Sequence, residues 1–195
     1  MTRAPLPDPL HTTVRRLRDG DPRAMAQAID VHGPAVYGFL SRMLRGDAAR
    51  DDLFQDVFLA LAKHAPTLDD GVNLHAWLLV VAGNRWRSYA RWRLVDPTRS
   101  LVLEVPGDLR AFDGSDVPSP ETSLERAQRQ DAIERALAAL PEHDRATLLL
   151  HLDEGLRSVD RAAALGISEP AFRKRLERAR ARFSTIFASL TGDAP

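Results

Sequence analysis

Between Pro170 and Arg182 six basic residues (Arg173, Lys174, Arg175, Arg178, Arg180 and Arg182) stand against one acid, Glu177, a net of 6 − 1 = +5. Wound as a helix, this stretch places Phe172, Leu176, Ala179, Phe183, Ile186, Phe187 and Leu190 on one stripe and Arg173, Lys174, Glu177 and Arg178 on the other side. An outward row of this kind suits nucleic acid. Arginine forks onto guanine, lysine and arginine neutralise phosphates, and glutamate accepts from a cytosine amino group. The competing account is a solvated basic helix laced by pairs such as Arg173 with Glu177. What precedes it is a shorter helix at about Ser158 to Leu165 and the turn Gly166-Ile167-Ser168. That is the spacing of a helix-turn-helix whose second helix enters the major groove. Gly166 suits a left-handed helix end, and Ser168 suits the cap of the next helix.

A second basic cluster carries aromatic rings. From Arg85 to Arg99 there are five arginines (85, 87, 91, 93 and 99) against Asp96, a net of +4, with Trp86, Tyr89 and Trp92 among them. Rings flanked by cations can hold an unpaired base, at about 1 to 3 kcal/mol per stacked base. The alternative is that the rings are core, which the pattern favours for Tyr89. The helix expected here buries Leu74, Trp77, Leu78, Val81, Ala82 and Tyr89 and presents Asn84, Arg87 and Arg91, with Arg85 falling inside the apolar stripe. A third cluster lies upstream: Leu53, Phe54, Val57, Phe58 and Leu61 point inward, while Asp52, Gln55, Asp56 and Leu59 share the outward face. A leucine exposed within an acidic patch suggests a protein partner, against the plainer account of a solvated face.

Catalytic constellations are missing. There is no glycine-rich phosphate loop and no nucleophile beside a base. The six histidines (His11, His32, His64, His75, His143 and His151) include no i, i+4 pair, and His143 and His151 are eight apart. With no cysteine there is no disulfide framework and no thiolate metal site. The expectation is a protein that is not an enzyme, with no cofactor, no metal and no small-molecule substrate.

The elements that must position these clusters follow from periodicity. The 195 residues, 44% hydrophobic with 27 basic and 27 acidic side chains, permit one domain or two small ones. Helices are expected over 23 to 45, 48 to 64 and 73 to 93, with breaks at Gly46-Asp47 and around Pro66 to Gly71. From 96 to 120 the pattern collapses among Pro97, Pro106, Pro118 and Pro120, with two arginines against five acids, a net of −3. Helical spacing returns at Glu121. The fold class is therefore all-α: an N-terminal tail (1–22), a helical domain (23–95), a flexible linker (96–120) and a helix-turn-helix domain (121–195). Met1 to Leu10 lacks the order of a secretory signal, and the longest apolar run, Ala76 to Gly83, falls far short of the roughly 18 residues of a membrane span. A cytoplasmic protein without membrane insertion is expected.

Taken together, Asp52-Leu-Phe-Gln-Asp-Val-Phe58, Ala76-Trp-Leu78 through Asn84 to Arg91, Ala136-Leu-Ala-Ala-Leu-Pro-Glu142, Glu154-Gly-Leu156, Leu165-Gly-Ile-Ser-Glu169 and Arg173-Lys-Arg-Leu-Glu-Arg-Ala-Arg180 resemble an extracytoplasmic-function sigma factor of the sigma-70 type. The resemblance implies an initiation subunit with conserved regions 2 and 4 that directs core RNA polymerase to promoters. It implies that Asp52, Gln55 and Asp56, with Leu59 on the same face, dock polymerase. It places Asn84, Arg87 and Arg91 near the melted minus-10 element, and Arg173, Lys174, Glu177 and Arg178 at the minus-35 element. Core RNA polymerase, promoter DNA and an anti-sigma factor are the partners it implies. Val80, Gly83, Ser88, Arg161 and Glu177 depart from the family's common pattern. A sigma-like module without promoter melting and a plain helix-turn-helix regulator are the other readings of the same features.

Overall fold

All the regular elements of the computed structural model are helical among the residues it describes, 9–44, 48–95 and 120–192. In chain order they are α1 (Pro9–Arg18), α2 (Pro22–Met43), α3 (Ala49–His64), a 3₁₀ turn (Ala65–Thr67), α4 (Leu74–Val95), α5 (Pro120–Ala139), α6 (Glu142–Leu152), α7 (Ser158–Leu165) and α8 (Glu169–Thr191). Local chemistry sets the ends. Asp21 caps α2 by accepting from the Arg23 N–H at 2.9 Å, and Pro22 occupies the first turn, where its missing N–H costs nothing. Pro141 stands just ahead of the first turn of α6, as its cap.

The tail expected over 1–22 contains a helix. Val14 and Leu17, three residues apart on α1, are buried against α2 and the 3₁₀ turn. Arg18 fastens the far end, donating to the Leu68 carbonyl at 2.5 Å and to Asp70 at 2.7 Å. The linker expected over 96–120 lies, apart from Pro120, outside the described residues.

The helices on either side of that stretch share one apolar core, in which Val36, Val57, Leu61 and Leu78 are continuous with Leu150, Ala162, Ala164 and Phe172. α4 lies at its centre, packed on α2 and α3 on one side and on α7 on the other. Its sequence explains this position. Leu74, Ala76, Leu78, Leu79, Ala82 and Trp86 are all buried, and at about 100° per residue they span roughly 200° of the helix surface. A helix with so wide an apolar arc must be covered on more than one side.

Gly83 is the closest point of that packing. A Cβ on it would lie 2.5 Å from the Ala164 carbonyl oxygen, so only glycine lets the α4 and α7 backbones meet at this distance. Glycine in a helix interior costs about 0.5 to 1 kcal/mol relative to alanine, and the contact offsets that cost. Polar bonds flank it. His75 Nε2 lies 2.9 Å from Asp153, Asn73 donates to the Gly155 carbonyl at 3.3 Å, and Arg42 grips Glu134 at 3.0 and 3.1 Å. Arg145 donates to the carbonyls of Leu137, Ala138 and Leu140 at the end of α5 and, at 3.1 Å, to that of Arg42 in the last turn of α2.

Candidate nucleic-acid interface

The helix-turn-helix is assembled by its own short-range bonds. α7 ends in a left-handed residue, Gly166 at φ +62°, while the Gly166 N–H reaches the Ala163 carbonyl at 3.0 Å and the Ile167 N–H reaches Ala162 at 3.1 Å. This pair of bonds satisfies carbonyls that the end of the helix would otherwise leave open. At the start of α7 the Asp160 carboxylate accepts from the Arg157 backbone N–H at 3.3 Å and from its guanidinium at 2.9 Å. The Ser168 hydroxyl accepts from the Ala171 N–H at 3.4 Å and begins α8. Arg161, one of the departures, donates to the Asp153 carbonyl at 2.8 Å and ties α7 to the turn before it.

α8 buries Phe172, Leu176 and Ala179 and leaves Arg173, Lys174, Glu177 and Arg178 exposed, the division expected from helical spacing. The apolar stripe fades toward the end, and Leu190 is exposed. Two further basic residues are turned back onto α6: Arg180 meets His151, and Arg182 meets the buried Asp144. Burial, with the charges of Arg180 and Arg161, holds the His151 imidazole below its ordinary range.

On α3, Leu53, Val57, Phe58 and Leu61 are buried, Phe54 is half-buried, and Asp52, Gln55 and Asp56 are exposed. Leu59 is 65% exposed beside the acids, so this face keeps an apolar residue in water. It stands apart from α8, on a helix that packs on α2 and α4.

α4 departs from the expectation at two residues. Trp86 is 1% exposed and edge-on to His143 at 6.0 Å, so its ring is core and cannot stack on a base. Arg85, expected within the apolar stripe, is exposed. The first has a clear cause: a second buried face, toward α7 and His143 at the start of α6, takes residue 86 inward. Tyr89 is half-buried, and Trp92, 44% exposed, lies 5.7 Å from it.

Of the three residues expected on the outward side of this helix, Asn84 and Arg91 are exposed and Arg87 is half-buried. The Arg87 guanidinium lies against Gly166 and donates to Asn84, while its Nε is buried with no hydrogen-bond partner. Burial, and then the neighbouring charge of Arg91, pushes the Arg87 guanidinium below its ordinary range. Arg87 therefore touches the turn that launches α8, bringing residues of two sequence clusters together. A cavity of about 220 Å³ beside them is lined by Trp86, Arg87, Ala90, Arg91, Glu142 and His143 among others. Glu142 and His143 had no place in the expected cluster, and only the docking of α6 on α4 brings them there. Among the described residues no group of three His, Asp or Glu could hold a metal ion, and no helix is long and apolar enough to cross a membrane.

Two family models match the chain: Sigma-70 region 2 over residues 28–93 and Sigma-70, region 4 over residues 130–183. The RNA polymerase sigma factor CarQ of Myxococcus xanthus is 29% identical over 177 residues, 91% of this chain and 97% of that protein. The ECF RNA polymerase sigma factor SigF of Caulobacter vibrioides is 30% identical over 162 residues, 83% of this chain and 84% of that one. The chain belongs to the extracytoplasmic-function (ECF) sigma factors. Within that family it directs core RNA polymerase to promoters. Neither alternative is favoured, and a plain helix-turn-helix regulator would leave the region 2 match without an explanation. The fold agrees. The structure of CnrH in complex with the cytosolic domain of CnrY superposes with a TM-score of 0.63 at 24% identity, over 96% of this chain and 100% of that one. The sigma factor RpoE of Bartonella quintana, solved with the anti-sigma factor NepR, superposes with a TM-score of 0.64 at 23% identity, over 83% of this chain and 94% of that one.

Proposed function

We propose that this sigma factor divides its work among three surfaces. Asp52, Gln55, Asp56 and Leu59 on α3 dock core RNA polymerase; Asn84, Arg87 and Arg91 on α4 meet the minus-10 element; and Arg173, Lys174, Glu177 and Arg178 on α8 read the minus-35 element. The observation that carries this assignment is the exposed row on α8, behind a correctly capped helix-turn-helix and fixed on α6 by its buried face. A half-buried helix whose outward residues are Arg, Lys, Glu and Arg has a donor and acceptor set that matches base edges and phosphates. The α3 face supports a protein contact because an exposed leucine ringed by acids gains from desolvation while its rim steers a basic partner. Two weak DNA contacts on one chain act together through effective concentration, which the expected linker over 96–120 would set. An anti-sigma factor is the further partner, by analogy with the CnrH and RpoE complexes.

The test is capture of core polymerase. Gln55→Ala combined with Asp56→Arg changes only exposed side chains, so circular-dichroism helicity should be unchanged while polymerase binding and promoter-dependent run-off transcription are lost. A normal complex from the double variant would remove the docking assignment.

A further inference from the structure

We infer that the cavity between α4 and the start of α6 is a binding site for the phosphate end of a small phosphorylated ligand, held by Arg87, Arg91 and Arg93. The cavity, about 220 Å³, is lined by these three arginines with Trp86, Ala90, Glu142 and His143. Helical spacing explains the convergence. At about 100° per residue, Arg93, Trp86 and Ala90 fall within about 60° of one another on α4, and Arg87 and Arg91 lie together along the next arc. The buried Trp86 ring and the short Ala90 side chain thus form an apolar floor with cations on either side. Three cations against the single acid, Glu142, leave a net of 3 − 1 = +2.

What singles out this cluster is a lack of counter-charge. Elsewhere an arginine meets a carboxylate, as Arg42 meets Glu134 and Arg182 meets Asp144. Arg87 and Arg91 form no ion pair among the described residues: Arg87 donates to the neutral Asn84 side chain, and Arg91 to the Ser88 hydroxyl at 3.4 Å. The Nε of Arg87 is buried with no acceptor. Burial, and then the Arg91 charge, push that guanidinium below its ordinary range, and no acid offsets them. A half-buried cation beside a second one is costly unless an anion joins them. Phosphate suits this geometry because its several oxygens accept from more than one guanidinium fork at a time. Size sets the rest. Pockets for whole drug-sized molecules run from about 300 Å³ upward, so this one takes a phosphate or pyrophosphate group and leaves any larger body in solvent. No side chain caps α6, whose first two residues, Glu142 and His143, line the cavity, so the positive end of that helix adds to the field. The Glu142 carboxylate opposes it, which makes this residue a sensitive probe of the charge balance. Arg87 and Arg91 also belong to the proposed minus-10 surface, so a bound anion would occupy groups the promoter needs; this consequence, though not the site, rests on that reading.

Isothermal titration of the full chain with pyrophosphate, at an ionic strength held fixed with sodium chloride, should give saturable binding at one site. Arg91→Ala changes an exposed residue and should weaken it by about tenfold or more, the loss expected of one charge-assisted bond, as should Arg87→Ala. Glu142→Gln should tighten it. Arg85→Ala removes the same charge from the same helix but outside the cavity, and should leave the affinity within about twofold. If Arg87→Ala loses helix content by circular dichroism, Arg91→Ala decides alone. Absence of saturable binding, or a loss for Arg85→Ala equal to that for Arg91→Ala, would overturn the site. So would a minus-10 single strand whose binding needs Arg91 while pyrophosphate does not bind, since the phosphate held is then that of DNA. A strand that stays bound with the cavity filled would instead remove Arg87 and Arg91 from the minus-10 surface and leave the anion site standing.

Discussion

Arg145→Met should destabilise this protein more than its half-buried position suggests. The guanidinium donates to the carbonyls of Leu137, Ala138 and Leu140 at 3.0 to 3.2 Å and to that of Arg42 at 3.1 Å. Three of these acceptors belong to the last turn of α5 and its exit, where the helix ladder runs out and only the Leu137 carbonyl has a backbone donor, the Leu140 N–H at 3.3 Å, among the turn and cap bonds. The side chain thus caps α5, places its charge at the negative end of that helix, and bonds to the last turn of α2. A hydrogen bond to a charged group contributes about 1.5 to 3 kcal/mol, but partial exposure lets water replace some of the four, so a net loss of about 2 to 4 kcal/mol is the working figure. At roughly 2 to 4 °C per kcal/mol for a chain of this size, Tm should fall by about 5 to 15 °C. Thermal melts followed by circular dichroism measure this directly. Arg135→Met supplies the comparison: its partner Asp131 is 2.9 Å away, with side chains 56% and 64% exposed, and an exposed pair of this kind contributes less than about 1 kcal/mol. A shift for Arg145→Met no larger than that for Arg135→Met would refute the capping argument.

Three further outcomes follow from the same structure. Arg178→Ala, on the exposed row of α8, should cost about 1 to 3 kcal/mol of binding to the cognate promoter and less on unrelated duplex in a fluorescence-anisotropy titration; equal losses on both would mean it touches phosphate alone. Ser168→Ala removes the bond to the Ala171 N–H and should cost about 1 kcal/mol in urea unfolding, with fraying confined to the first turn of α8 in hydrogen exchange. Stability should also fall on acidification. Burial, with a smaller contribution from His75, lowers the His32 pKa, and His151 is lowered as well; both ordinary values are near 6.5. The unfolded chain therefore binds more protons just below that pH, so stability is intact above about 6.5 and is lost as pH falls toward the depressed folded values. His32→Leu should flatten the pH 7.5 to 5.5 dependence of the urea midpoint, and an unchanged slope would contradict the sign.

What the sequence settled by itself was local. The helix expected over 48 to 64 is α3, Ala49–His64, and that at Ser158 to Leu165 is α7 with the same limits. The turn through Gly166 and the cap at Ser168 were legible because both answer to bonds within a few residues, which neighbouring chain does not alter. The faces of α3 and α8 were legible for a related reason: each helix is covered on one side, and a single buried stripe leaves a clear period in the sequence. α4 is covered on two, so the nearly unbroken apolar run from Ala76 to Gly83 states that the helix is buried without stating by what. Tertiary structure alone decided that Trp86 is core, that Arg85 faces water and that Arg87 rests on the helix-turn-helix. It also decided the meaning of Gly83, since a glycine required by the carbonyl of a residue 81 positions away leaves no trace in its own helix's periodicity.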